Sequence, residues 1–183
     1  MWYPAKVTAP PTAEPISVDD AKRQCRILIE ETEFNAELER LCKAARDHIE
    51  AYCGMRFAEW PIMLECDGFA DFAAFPEAPL KSISTIVYFD EDGGEQILGD
   101  GVYEVGGSRF EPAIILKDGP SWPKTAKGSR LVVSAVLGGD VPESVAHAML
   151  IFVADSFNQR ENAKADNWTV LDVLLCNHRR GTV

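Results

Sequence analysis

At 183 residues the chain is long enough for one domain with its own core, and a hydrophobic content of 46% excludes global disorder. Acidic residues outnumber basic ones 29 to 18, a formal charge of −11, which argues against duplex DNA or an anionic membrane as the principal partner. Cys25, Cys42, Cys53, Cys66 and Cys176 are scattered and form no CxxC, which fits reduced thiols of a cytosolic product better than a disulfide framework.

Residues 1–16 carry Pro4, Pro10, Pro11 and Pro15, so an extended arm is expected there. The start Met1-Trp2-Tyr3-Pro4 lacks the basic residue and apolar run of a signal peptide. Ser17 is a good N-cap, with Asp20 in the first turn, and a short helix is predicted from Val18 to Ile29. A longer helix is predicted from Asn35 to Cys53. Leu38, Leu41, Cys42, Ala45, Ile49 and Tyr52 share one face at three- and four-residue spacing, and Gly54 is a natural stop.

From Met55 onward the period shortens. Ile62 to Cys66 and Ser84 to Phe89 read as strands, and Asp90-Glu91-Asp92-Gly93-Gly94 as the turn of a hairpin returning through Glu95 to Leu98. Tyr103 to Val105, Ile114 to Leu116 and Arg130 to Val136 are further strands. Pro142 then opens a third helix with an apolar stripe of Val145, Ala148, Met149, Phe152, Val153 and Phe157. Residues 161–167 read as a polar linker, and Trp168 to Asn177 as a short amphipathic helix with Leu171, Leu174 and Leu175 inward. The expected fold is α+β: a single domain, mainly a helical bundle (17–54 and 142–176), with an inserted β-rich region (55–138), an arm (1–16) and a tail (177–183). No apolar run approaches the roughly 20 residues of a membrane span, the longest being Ala146 to Ala154.

No catalytic motif stands out. His48, His147 and His178 form no HxxxH pair, so packing or surface roles are expected rather than metal ligation. Asp90, Asp92 and Gly93 resemble the start of a calcium loop, but Gly94 takes the fifth place and no Glu follows at the twelfth. Neither Gly106-Gly107 nor Gly138-Gly139 belongs to a phosphate loop. Trp60, Trp122 and Trp168 are expected in the core more than at a binding surface. A cysteine or paired-carboxylate hydrolase site in the β-rich middle stays open as an alternative.

The ordered pieces resemble the head–tail connector (adaptor) proteins of long-tailed bacteriophages, including their prophage and gene-transfer-agent relatives. The resemblance rests on Ala13-Glu14-Pro15-Ile16-Ser17-Val18-Asp19-Asp20-Ala21-Lys22, and on Leu38, Leu41, Ala44-Ala45-Arg46 and Ile49 to Gly54. It continues through Pro79-Leu80, Ile83, Val87 to Asp90 with Gly93, Tyr103 and Trp122-Pro123. It ends with Val141-Pro142-Glu143 to Glu161, and with Leu171, Leu174-Leu175 and Arg179. It implies a non-enzymatic virion subunit at the head–tail junction, made in the bacterial host cytoplasm, with no cofactor, metal or membrane. Such subunits form a head-to-tail ring of about twelve copies, with isolated subunits able to stay monomeric. Portal protein lies on one side and a tail-completion or stopper protein on the other, and DNA passes through without specific binding. Trp168, Leu171, Leu174, Leu175, Arg179 and Arg180 are the expected portal contact.

Overall fold

The computed structural model describes residues 1–159 and 169–181. The fold is α+β, and the chain divides into two compact units: Met1–Thr12 with Glu59–Gly139, and Ala13–Ala58 with Asp140–Val183.

The first unit is β-rich. Its strands are β1 (Lys6–Val7), β2 (Trp60–Cys66), β3 (Leu80–Phe89), β4 (Glu95–Ile97), β5 (Tyr103–Gly107), β6 (Pro112–Leu116) and β7 (Leu131–Leu137). Five of them form an antiparallel sheet in the order β1-β2-β7-β3-β4, and β5 pairs with β6 in a separate hairpin. The central strands β2 and β7 alternate buried and half-buried positions, as a sheet with one packed face requires. Ile62, Leu64 and Cys66 stand on the same face as Ala135, Val133 and Leu131. That face packs with Ile86, Phe72 and Phe75 in one apolar cluster. A 3₁₀ turn, Phe69–Ala73, supplies aromatic residues: Phe69 stacks on Trp122 with centroids 4.8 Å apart, and Phe72 meets Trp122 edge-on at 5.5 Å. Trp122 thus packs against the aromatic cluster. In the β5–β6 hairpin Gly107 has φ 81, and a Cβ there would lie 2.3 Å from the Glu111 carbonyl oxygen, so only glycine fits.

The Pro-rich start is extended over β1, but it is not free. Thr8 donates its backbone N–H to the Pro61 carbonyl at 3.0 Å, and Tyr3 donates to Glu65 at 2.9 Å. The strand β3 begins at Leu80, four residues earlier than its sequence suggests. Its register against β7 shifts twice, between Leu80 and Ser82 and between Ile83 and Thr85, and such bulges erase the two-residue period that marks a strand.

The second unit carries α1 (Val18–Gln24), α2 (Asn35–Cys53), α3 (Glu143–Asn158), α4 (Val170–Leu175) and a 3₁₀ turn, Cys176–His178. Ser17 caps α1, accepting the Asp20 N–H at 3.0 Å. This helix ends five residues before the predicted Ile29. Arg26 turns the chain at φ 61, and the buried Lys22 ammonium donates to the Ile29 carbonyl at 2.8 Å, a bond that needs the chain folded back. The helix α2 has the expected bounds, and Gly54 closes it in the left-handed conformation. Its buried face of Leu38, Leu41, Cys42, Ala45 and Ile49 belongs to the same unit as Val145, Ala148, Met149 and Val153 of α3. The rings of His48 and Phe152 stack at 5.1 Å, and Phe34 meets Phe157 edge-on at 5.5 Å.

Two buried charges fix this unit locally. Arg46 donates from Nη1 to both carboxylate oxygens of Glu14, at 2.6 and 2.8 Å, anchoring the segment just ahead of α1 to α2. The buried Glu50 carboxylate accepts the backbone N–H groups of Phe57 at 2.7 Å and Ala58 at 2.9 Å, both through Oε1. It holds the chain as it leaves α2.

Candidate interaction surface

The C-terminal segment, expected as a short amphipathic helix and tail behind a polar linker, is docked on its own unit. Thr169 and Asp172 form a capping box at the start of α4: the Thr169 N–H donates to Asp172 Oδ2 at 2.7 Å, and the Asp172 N–H to Thr169 Oγ1 at 3.4 Å. The Tyr52 hydroxyl of α2 donates to Asp172 Oδ1 at 2.5 Å. Ser144 at the start of α3 and His178 share a hydrogen bond of 2.8 Å. The Arg179 guanidinium lies 4.7 Å above the Tyr52 ring. Arg180 donates its backbone N–H to the Cys53 carbonyl at 2.7 Å, taking up an orphan acceptor at the end of α2.

This docking divides the expected contact residues. Leu175 is buried, Leu171 and Leu174 are half-buried, Arg179 is exposed and Arg180 is half-buried. Trp168 and the polar linker lie outside the described residues. The helix also has an outer stripe that its inward leucines do not reveal: Val170 and Val173, 62% and 57% exposed and one turn apart. Spacing of three between two valines was the available signal, but in a helix of six residues it is too short to stand out.

Electrostatics reinforce the dock. The Tyr52 hydrogen bond, then those from Thr169, lower the Asp172 carboxyl from 3.8 to about 2. The same Asp172 bond pushes the Tyr52 phenol up. A carboxyl lowered in the folded state stabilises the dock above pH 3.8, and that contribution is lost as pH falls through about 2. Hydrogen exchange across α4 should therefore quicken as pH drops over that window, after correction for intrinsic rates. Asp172→Asn should remove the pH step. A wild-type profile without a step would refute the coupling.

The β-rich unit does not bring together the cysteine and histidine that a cysteine hydrolase site needs. Its cysteine, Cys66, is buried, and burial pushes the thiol up to about 12, so it is protonated at neutral pH. All three histidines lie outside residues 59–139. Asp90 holds the hairpin turn by accepting the N–H groups of Gly94 at 2.8 Å and Asp92 at 3.1 Å. Its carboxyl is lowered chiefly by the Gly94 bond. Among the described residues no group of three or more His, Cys, Asp or Glu side chains could hold a metal ion, and no helix is long and apolar enough to cross a membrane.

The two units define an α+β chain with exposed apolar residues at Val170 and Val173 on α4. No family model and no curated protein matches the sequence. Three solved structures share the fold over nearly the full length of both chains. One is a chain from the neck of an empty gene transfer agent (GTA) particle computed with C6 symmetry: TM-score 0.75, 17% identity, 99% of this chain and 97% of that one. A chain from the virion of the native GTA particle gives TM-score 0.73 at 18% identity, covering 98% and 96%. One from the neck of the native GTA particle computed with C12 symmetry gives TM-score 0.66 at 17% identity, covering 99% and 97%.

Proposed function

We propose that this chain is a head–tail connector (adaptor) subunit of a tailed-phage or gene-transfer-agent particle. The observation that carries the reading is the fold shared end to end with chains of GTA necks, 99% of this chain against 97% of that one. The ordered sequence pieces of the phage connectors support it independently.

In this reading about twelve copies form a head-to-tail ring between the portal and a tail-completion or stopper protein, at the head–tail junction of the virion. The helical unit forms the ring wall as a bundle, and the β-rich unit meets a neighbour or the next tail component. The subunit catalyses no reaction. It is made in the host cytoplasm and enters the virion on assembly. DNA passes through the ring without specific binding, and a net charge of −11 suits a channel whose wall must not grip phosphate. The portal contact falls on the C-terminal segment. Arg180 secures it to α2 and Leu175 is buried, while Leu171, Leu174 and Arg179, with Val170 and Val173, offer an apolar surface edged by positive charge. Trp168 precedes this surface in sequence.

Mass measurement of the full chain, alone and mixed with its portal protein, tests this. The expected result is a portal-dependent ring. A chain that stays monomeric and ignores the portal would sink the proposal.

A further inference from the structure

The five-stranded sheet ends in two open edges, at β1 and at β4, on opposite sides of the first unit. Edge strands carry unpaired backbone groups, and proteins usually blunt or cover them. Here neither edge is apolar-poor: Val7 on β1 is 50% exposed and Ile97 on β4 is 68% exposed.

The hydrogen bonds state which groups each edge offers. The Thr8 N–H bonds inward to Pro61, so antiparallel alternation turns Lys6 inward as well and leaves Val7 with N–H and C=O pointing out, flanked by Ala5 before the strand and Ala9 in the bend after it. At the other edge the Leu98 N–H bonds inward to Ile86, and Asp90 donates to the Gly94 carbonyl, so Gln96 also points in. Glu95 and Ile97 then point out. Every neighbouring pair in the sheet is antiparallel, so β1 and β4, first and fifth in order, run the same way. A second copy placed edge to edge with the same face up therefore meets β4 in parallel with its own β1.

In a parallel ladder each outward residue bonds to the two residues flanking its opposite number. One register uses both outward groups of Val7, Glu95 and Ile97. Glu95 stands opposite Lys6, bonding Ala5 and Val7; Ile97 stands opposite Thr8, bonding Val7 and Ala9. Pro4 and Pro10, which cannot donate, bound the ladder on either side. In this register the side chains of Glu95 and Lys6 lie on the same face, opposite in charge and both exposed.

We propose that the sheet continues from one copy of this chain to the next, β4 of one pairing in parallel with β1 of its neighbour, Glu95 beside Lys6 and Ile97 beside Thr8. The inference rests on the ring reading above. Two different edges on opposite sides are what a head-to-tail ring needs, whereas a twofold dimer would pair one edge with itself. The cyclic symmetries of the GTA necks that share this fold, C6 and C12, are of the head-to-tail kind.

The test uses rings of the full chain assembled on the portal. Cys176 is exposed and is first replaced by serine. With Lys6→Cys and Glu95→Cys together, mild oxidation should produce a ladder of covalent multimers up to the full ring, reversed by reductant. Neither single change should do so. Lys6→Glu should cut ring yield at least tenfold, and adding Glu95→Lys should restore it. Ile97→Pro deletes an outward N–H without touching the chain's own ladder, and should leave a folded subunit that does not close rings. Normal rings from Ile97→Pro with no cross-linked ladder would overturn the edge pairing and leave the ring reading standing. Wild-type chain that never forms a ring would overturn both.

Discussion

Glu50→Ala is expected to destabilise the helical unit by about 4 kcal/mol, because two buried N–H groups lose their acceptor and each costs roughly 1–3 kcal/mol unpaired. Phe57 and Ala58 both donate to Oε1, and Arg56 lies 3.4 Å from Oε2. Both residues are buried, so water does not readily replace the carboxylate. The two substitutions should separate cleanly. Glu50→Gln keeps a carbonyl oxygen where Oε1 stands and places an amide beside Arg56, so its cost should be nearer 1 kcal/mol. Denaturant midpoints of the three proteins check this. Equal losses for Ala and Gln would mean that the charge, not the acceptor, holds the chain after α2.

In the β-rich unit the corresponding lesion is Phe72→Ala, with an expected loss of about 4 kcal/mol for a fully buried phenylalanine. Phe72 is packed by the rings of Trp2 at 5.9 Å, Phe69 at 5.5 Å and Trp122 at 5.5 Å. Trp2 also donates its indole N–H to the Asp71 and Ala74 carbonyls at 2.9 and 2.8 Å. The cavity should therefore loosen the N-terminal strand as well. Tryptophan emission should shift to the red in the folded protein, alongside a lower denaturation midpoint. An unchanged midpoint would show that Phe72 fills space without supporting the sheet.

The elements legible in the sequence are those whose signal is local. The helix α2 carries its own stripe and its own stop at Gly54, and the β3–β4 hairpin carries its turn at Asp90 to Gly94. The elements that escaped depend on distant partners. Lys6–Val7 is a strand only because β2 stands beside it, and α1 ends early because Lys22 is drawn to Ile29. The C-terminal segment shows the same division. Its leucines and arginines were visible, but its attachment through Asp172, His178 and Arg180 needs partners 34 to 127 residues away: Tyr52, Ser144 and Cys53. Nothing in so short a run announces such a partner. The edge groups of β1 and β4 follow from register alone, which no composition reveals.

The division of the chain into two units also sets an order of events on the ribosome. Every residue of the first unit, Met1–Thr12 and Glu59–Gly139, is translated before Asp140. Its sheet can close while the nascent chain is still growing, since β7 is the last strand required. The second unit must wait: α2 emerges early with its apolar face complete, yet α3 and α4 are made only after the whole sheet. For the time it takes to translate roughly ninety residues, seconds at ribosomal speed, α2 is a finished amphipathic surface with its sequence-distant partners still unmade. Cells lacking nascent-chain chaperones should thus lose this protein through its helices, while the sheet forms on schedule.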